Sequence, residues 1–166
     1  LLEQHRELLL QDLERRALFT ASTNCYTDDD PTTSIPSPPM PPYDEALFAI
    51  DLDGNPLWRW RPREVDPSDL AFGAVPNLFS IDVAGTRREV VGIGNKDGTY
   101  YVLDRDGVNA VNGVAWNSGD PAALPYWATK VVPGGDDGGI IASAAVDPVS
   151  RRVYFSTAPG ENGVSE

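Results

Sequence analysis

Residues 46–60 read ALFAIDLDGNPLWRW, which is an apolar run, a tight turn and a second apolar run. The Asp-Gly pair in the middle is typical of a hairpin turn, because glycine readily adopts the positive φ that such turns require. Residues 99–116, TYYVLDRDGVNAVNGVAW, repeat this layout, and Asp104 follows its counterpart Asp51 by 53 residues. The pattern therefore predicts a strand–turn–strand unit that recurs along the chain.

A second repeat links two polar turns that carry arginines. The sequence DLERRALFTAS begins at Asp12 and DPVSRRVYFST begins at Asp147, and in each an Asp-led turn precedes an apolar strand. This comparison predicts a turn at 12–16. The alternative is a helix over residues 1–18, since Leu2, Leu9, Leu13 and Ala17 approximate one helical face.

Repeats of about 50 residues with about four short strands each are the pattern of β-propeller blades. The 15 glycines and 15 prolines also favour short strands over long helices. We therefore predict an all-β chain that forms a partial β-propeller, about two and a half four-stranded antiparallel blades of a larger, eight-bladed ring. The predicted strands are 17–23, 46–51, 57–60, 74–82, 89–94, 99–104, 113–116, 139–146 and 152–157.

These strands divide the chain into three units of a single propeller domain. They are a blade part at 12–60 with a Pro-rich loop at 31–42, a blade at 69–116, and the start of the next blade at 138–158. Propellers close with about four to eight blades. We therefore expect the chain to be a fragment that is completed by the remainder of its own propeller or by another chain.

Composition and charge exclude several classes of function. The 25 acidic and 13 basic side chains give a net charge of -12, which argues against a nucleic acid partner and an anionic membrane surface. No apolar run approaches the ~18 residues of a spanning helix. Cys25 is the only cysteine and His5 the only histidine, so an internal disulfide and a multi-histidine metal site are excluded. A hydrolase is disfavoured because no Gly-x-Ser-x-Gly motif occurs.

Several motifs have a structural explanation that we prefer. The quartets DLDG at 51–54 and DRDG at 104–107 resemble the opening of calcium loops, but they lack the later ligands, and a hairpin turn accounts for both. Trp58 and Trp116 follow corresponding turns. A large aromatic residue at one place in each repeat is expected to fill the gap between blades.

Four features fit packing less well. Asn24 follows a strand, Lys96 lies at the junction of a strand and a turn, Asp69 precedes a strand, and Gly138-Gly139 precede another. In sequences generally, a residue at any of these positions is more often part of a turn than a ligand of a cofactor or metal ion. All four features lie where predicted blades begin. These positions are of interest because a propeller gathers its binding groups in its central funnel, at the entry of its blades.

At these residues the chain resembles the pyrroloquinoline quinone (PQQ) dehydrogenase family, and within it the soluble branch related to polyvinyl alcohol dehydrogenases. The strongest match is AFGAVPNLFSID with RREVVGIGNKDGTYYVLDRDG; ALFAIDLDGNPLWRW, GGIIASAAVDPVSRRVYFST and LFTASTNCYT also match. The resemblance covers about residues 12 to 159.

The resemblance implies PQQ and Ca²⁺ as cofactors and a role for three residues. Lys96 matches the lysine that hydrogen-bonds the quinone oxygens, and Asn24 matches an asparagine that helps to hold Ca²⁺. Asp69 matches the first aspartate of the segment that carries the catalytic base, whereas Ala71 occupies the second aspartate position. Either Asp69 takes the role of the base, or the protein has lost alcohol oxidation.

The implied activity is that of a quinoprotein dehydrogenase, which oxidises an alcohol by hydride transfer to PQQ. The substrate would be a small-molecule or polymer alcohol, including secondary alcohols, and a cytochrome-type acceptor would receive the electrons. The resemblance also implies a periplasmic or secreted protein. The alternative is a non-catalytic propeller of the same fold that serves as a scaffold or interaction module.

Overall fold

A computed structural model describes residues 11–12, 14–23, 45–63, 70–108, 110, 124–135 and 137–158. These residues form antiparallel β-sheets and contain no helix. None of the described elements is therefore a helix long and apolar enough to cross a membrane. The predicted all-β class is confirmed for this part of the chain. The Pro-rich loop 31–42 lies outside it.

Within the described residues, ten strands form three sheets, of four, four and two strands. The first sheet has the order β1-β2-β3-β4, the second β5-β6-β7-β8, and the third pairs β10 with β9. Their bounds are β1 Gln11–Asp12, β2 Ala17–Ala21, β3 Leu47–Asp51, β4 Pro56–Trp60, β5 Asn77–Val83, β6 Thr86–Gly94, β7 Thr99–Asp104, β8 Trp127–Lys130, β9 Ala145–Asp147 and β10 Arg152–Tyr154.

The predicted turn at 12–16 is confirmed in its described residues. The Asp12 carboxylate accepts a hydrogen bond from the Arg15 backbone N–H at 3.1 Å, and Arg16 has a φ of 51°. Ala17 then begins β2, so it is not part of a helix. The repeat at Asp147 has the same form, since its carboxylate accepts from Val149 N–H at 2.9 Å and Arg151 has a φ of 58°.

The fourth strand of the second sheet differs from the prediction. Strand β8, Trp127–Lys130, pairs with β7 through Thr99↔Lys130 and Val102↔Trp127. The sequence predicts the fourth strand of this unit at 113–116, a range outside the described residues. Two Trp-containing apolar stretches follow β7 in the sequence, and the pairing with β7 selects the later one.

The third sheet begins later than predicted. The sequence predicts a strand over 139–146, but β9 comprises only Ala145–Asp147. The Ile140 N–H donates to the Asn95 carbonyl at 3.0 Å, and Gly139 forms an isolated bridge with Ala158. The segment from 139 to 144 is therefore irregular backbone held against the end of the second sheet.

The second sheet packs apolar side chains on both of its faces. Val91, Ile93 and Leu103 contact the first sheet, whereas Val90 and Val102 belong to the cluster shared with the third sheet. This alternation has the period of two residues that a strand imposes, so one sheet contributes to two separate cores. The described strands are therefore arranged as three successive layers.

Trp58 fills the gap between the first two sheets, as predicted. Its side chain packs 5.8 Å from the Phe19 ring, and its indole N–H donates to the Arg105 carbonyl at 3.0 Å. A Cβ at Gly107 would overlap the indole, so glycine is required there for close packing. The prediction for Trp116 concerns a residue outside the described part.

Candidate functional site

Several strand ends meet at one end of the first two sheets, which we call the Lys96 end. Strands β2, β4 and β6 finish there, and β3, β5 and β7 begin there, as their antiparallel pairing requires. Lys96 follows β6 in the turn that leads to β7. Its predicted location at the junction of a strand and a turn is confirmed.

The backbone of Lys96 is held from two sides. Its N–H donates to the Ala71 carbonyl at 3.1 Å, and its carbonyl accepts from the Gly135 N–H at 3.0 Å. Gly134 and Gly139 have φ values of 76° and 82° and approach so closely that a Cβ on either would overlap the Lys96 backbone. The side chain of Lys96 is half-buried. The backbone of Lys96 is therefore held in one position between the segment of Ala71 and the segment of Gly134–Gly139.

The residues on either side of Lys96 fix the turn through their side chains. The Asn95 carboxamide oxygen accepts from the Asp97 N–H at 2.8 Å, and the Asp97 carboxylate accepts from the Thr99 N–H at 2.8 Å. The other Asp97 oxygen accepts from the Tyr101 hydroxyl at 2.6 Å. Hence the polar side chains that flank Lys96 are both committed to holding its loop.

Arg63 connects this turn to the first sheet. Its guanidinium forms ion pairs with the carboxylates of Glu45 and Asp97 through two different nitrogens. Glu45 precedes β3 and its side chain is 0% exposed; it also accepts from the Asn95 amide at 3.2 Å. We call Glu45, Arg63, Asn95, Asp97 and Tyr101 the Arg63 network.

The electrostatics of this network depend on burial and on opposite charge. Burial, and then the hydrogen bond to the Asp97 carboxylate, raise the pKa of the Tyr101 hydroxyl well above its usual range. Tyr101 therefore remains a proton donor to Asp97 at any physiological pH. Arg63 supplies a positive charge between two carboxylates, which reduces the cost of burying them.

Two of the three predicted site residues, Asn24 and Asp69, lie outside the described residues, so their predicted roles remain predictions. Their described neighbours lie at the Lys96 end. Thr23, which precedes Asn24, accepts from the Glu45 N–H at 3.3 Å, and Ala71 binds the Lys96 backbone. The side chain of Ala71 is buried.

The aspartates of the repeated turns serve the turns themselves. One Asp51 oxygen accepts from the backbone N–H groups of Asp53 and Asn55, and the hydrogen bond from the Asn55 side chain contributes most to lowering the pKa of Asp51. Asp104 likewise accepts from the Asp106 N–H at 2.8 Å. A turn is confirmed at both quartets, but only DLDG is the loop of a hairpin, since β3 pairs with β4 directly after it whereas β7 pairs with the later strand β8. In the described part of the chain, His, Cys, Asp and Glu nowhere form a group of three suited to a metal ion.

A cleft that the described regions form is distant from the Lys96 end. It lies between the second and third sheets, has a volume of about 540 Å³, and includes Arg87, Glu89 and Arg151 in its lining. These residues belong to the β5–β6 and β9–β10 hairpins, whose turns lie at the opposite end of the sheets. The cleft is therefore separate from the candidate site.

Sequence reasoning missed Glu45 and Arg63. Neither belongs to a repeated motif, and Arg63 contacts carboxylates 18 and 34 residues away in the chain. A charged residue directly before the apolar run ALFAID was the one available signal, since such a position at a strand start is partly enclosed.

No protein-family profile and no curated protein match this sequence. Among solved structures, the quinohemoprotein alcohol dehydrogenase from Comamonas testosteroni is similar, with a TM-score of 0.57 and 19% identity over 87% of this chain and 24% of that one. The quinohemoprotein alcohol dehydrogenase ADHIIG from Pseudomonas putida HK5 is also similar, with a TM-score of 0.52 and 17% identity over 88% of this chain and 18% of that one.

These similarities concern the fold. The chain spans about a quarter or less of the length of either alcohol dehydrogenase, and identity below 20% carries no substrate or catalytic residue across. The described sheets therefore share their arrangement with β-propeller neighbours of the quinohemoprotein alcohol dehydrogenase type.

Proposed function

We propose that this chain is part of a PQQ-dependent alcohol dehydrogenase of the β-propeller type, within the branch related to polyvinyl alcohol dehydrogenases. The observation that supports it most is the setting of Lys96. A half-buried lysine stands at the end of two packed sheets, in a fold shared with quinohemoprotein alcohol dehydrogenases. The described sheets would then be about two and a half blades of the ring.

The described residues fit PQQ through one group. PQQ carries carboxylates and quinone oxygens, which accept hydrogen bonds, and the Lys96 ammonium is a donor with a rigid backbone on both sides. A lysine is also able to stabilise negative charge that develops on a quinone oxygen. Calcium ligands would have to come from Asn24 and from residues outside the described part, because the described residues hold no acidic cluster for the ion.

In this proposal each of the three residues has one task. PQQ bound with Ca²⁺ would supply an electrophilic carbonyl that accepts a hydride from the alcohol. Asp69 accepts the proton of the alcohol hydroxyl as a general base. Lys96 would donate hydrogen bonds to the cofactor oxygens, and the Asn24 amide oxygen would be a calcium ligand. The alcohol would be small or polymeric, electrons would pass to a cytochrome-type acceptor, and the protein would be periplasmic or secreted.

The second candidate is a scaffold or interaction module of the same fold. One observation favours it: Ala71 is buried and has no carboxylate, although the resemblance expects an aspartate there. An Asp69→Asn variant separates the two candidates. If Asp69 is the base, this variant binds PQQ normally but loses dye-linked alcohol oxidation; a scaffold shows no such oxidation in either form.

Lys96→Ala tests the proposal in the intact protein, by titration with PQQ in the presence of CaCl₂ followed by absorbance. We expect weaker PQQ binding and a loss of about 10²–10³ in turnover, since one charge-stabilising donor is removed. Lys130→Ala is the matched control, because Lys130 is exposed on the outer strand β8. Equal PQQ affinity in both variants and the unaltered protein would contradict the proposal.

A further inference from the structure

We infer that Arg63 is a positioning residue for the Lys96 ammonium, acting through Asp97 and Glu45. The inference rests on the proposed role of Lys96 in holding PQQ, and it adds a residue that touches no cofactor. Arg63 follows β4 of the first sheet, whereas Lys96 belongs to the second sheet. The position of Lys96 relative to the first sheet therefore depends on what connects the two.

Both chain neighbours of Lys96 are tied into the Arg63 network. Asp97 pairs with Arg63, and Asn95 donates to Glu45 at 3.2 Å. Asn95 and Glu45 have side chains with 0% exposure, so water competes little for these contacts. A residue whose two neighbours are both anchored has little freedom to shift its Cα. The Arg63 network thus fixes the Cα position from which the Lys96 side chain extends.

The same network reaches the segment that carries the proposed calcium ligand. Glu45 donates its backbone N–H to the Thr23 carbonyl at 3.3 Å, and Asn24 is the next residue. Arg63 also approaches the Leu70 carbonyl at 3.5 Å, next to Asp69. One guanidinium therefore contacts, directly or through Glu45, the neighbours of all three residues proposed for the site.

Only an arginine is suited to this arrangement. Glu45 and Asp97 each pair with a different terminal nitrogen of Arg63, and a planar guanidinium presents such donors in a rigid fork. A lysine has a single nitrogen and would satisfy one carboxylate well at the expense of the other. Arg63→Lys should therefore behave like Arg63→Gln in PQQ binding, and not like the unaltered protein.

The test is a double-mutant cycle in the intact protein, with PQQ affinity measured by titration in the presence of CaCl₂. We expect Arg63→Gln to raise the Kd for PQQ about 10–100-fold, the range found when a residue that orients a metal ligand is removed. In a Lys96→Ala background, Arg63→Gln should raise the Kd by a clearly smaller factor, since only its support of the Asn24 and Asp69 segments would then remain. Additive effects would overturn the inference, because Arg63 would then act independently of Lys96.

Arg15→Gln is the matched control. Arg15 also joins the first two sheets, pairing with Asp12 at 2.8 Å and Asp106 at 2.6 Å, and its side chain is 25% exposed against 20% for Arg63. It lies at the opposite end of the sheets. We expect its PQQ affinity to stay within about twofold, although folding stability falls. Equal losses of affinity in both variants would show a general structural effect and overturn the inference.

Two further outcomes are distinguishable. If Lys96→Ala weakens PQQ binding and Arg63→Gln does not, the proposed function stands and the positioning role is wrong; if Lys96→Ala has no effect either, the proposed function itself fails.

Should Arg63→Gln not fold, Tyr101→Phe removes only the hydroxyl that donates to Asp97 at 2.6 Å. We expect it to raise the Kd in the same direction by a smaller factor, and an unchanged Kd would overturn the inference.

Discussion

Trp58 shows how one residue stabilises the junction of two sheets. Its indole is 7% exposed, packs on Phe19 and Gly107, and donates to the Arg105 carbonyl. We predict that Trp58→Ala lowers the free energy of unfolding by about 3–5 kcal/mol, because a large cavity and an unpaired carbonyl remain. Urea unfolding measures this change. Leu57→Ala, at a 53% exposed neighbour, is the control and should change it by under about 0.5 kcal/mol; similar values for both variants would contradict the packing role.

The β1–β2 turn joins the first sheet to the second through buried charge. Asp12 pairs with Arg15 and, at 3.2 Å, with Arg105 of the second sheet. Burial alone would raise the pKa of Asp12, but the hydrogen bonds from Arg15 and Arg105 together hold it below its ordinary value of 3.8. A carboxylate with a lowered folded pKa stabilises the protein above its unfolded pKa, and this contribution is lost as the pH falls through the folded pKa.

We therefore predict a pH-dependent effect of Asp12→Asn. The variant should be less stable than the unaltered protein by about 1–3 kcal/mol at pH 7, the usual worth of hydrogen bonds to a charged group. The difference should shrink as the pH falls below about 4. Unfolding free energies measured from pH 7 to pH 2.5 test this. Asp82→Asn is the control. The side chains of Asp82 and Arg151 form an ion pair in which both are exposed, so this pair should contribute less than about 1 kcal/mol to stability. A difference for Asp12→Asn that is constant with pH would refute the prediction.

At the scale of the whole molecule, the third sheet has only two strands in the described regions, whereas the first two sheets have four each. Val149 is 91% exposed and Tyr154 51% exposed, and β10 leaves one edge without a partner among the described strands. Open apolar edges pair with other chains.

We predict that the 166-residue chain self-associates in solution, which sedimentation velocity would detect. Tyr154→Lys should reduce this association because a charge at an open edge opposes strand pairing. A monomeric, cooperatively melting chain would contradict the interpretation as part of a ring.

Local sequence was sufficient for the features that depend on near neighbours. The turns at Asp51, Asp104 and Asp147 were predictable because each carboxylate accepts from N–H groups two to four residues later. The strands β3 and β7 were predictable because an apolar run leads directly into the turns at Asp51 and Asp104. The place of Trp58 followed from the repeat. The location of Lys96 in a turn was also predictable from the sequence. Its backbone hydrogen bonds to Ala71 and Gly135 were not.

Only the tertiary structure decided features that depend on distant partners. Strand β8 at Trp127–Lys130 is the described fourth strand of the second sheet because it pairs with β7 across 24 or more intervening residues. The irregular segment before β9 is held by a distant partner, since the Ile140 N–H donates to the Asn95 carbonyl. Arg63 and Glu45 have no local pattern, since their charges are stabilised only when two sheets bring them together in a place with little water. A sequence pattern reports on neighbours within a few residues, whereas the pairing of strands and of buried charges is a property of the folded chain.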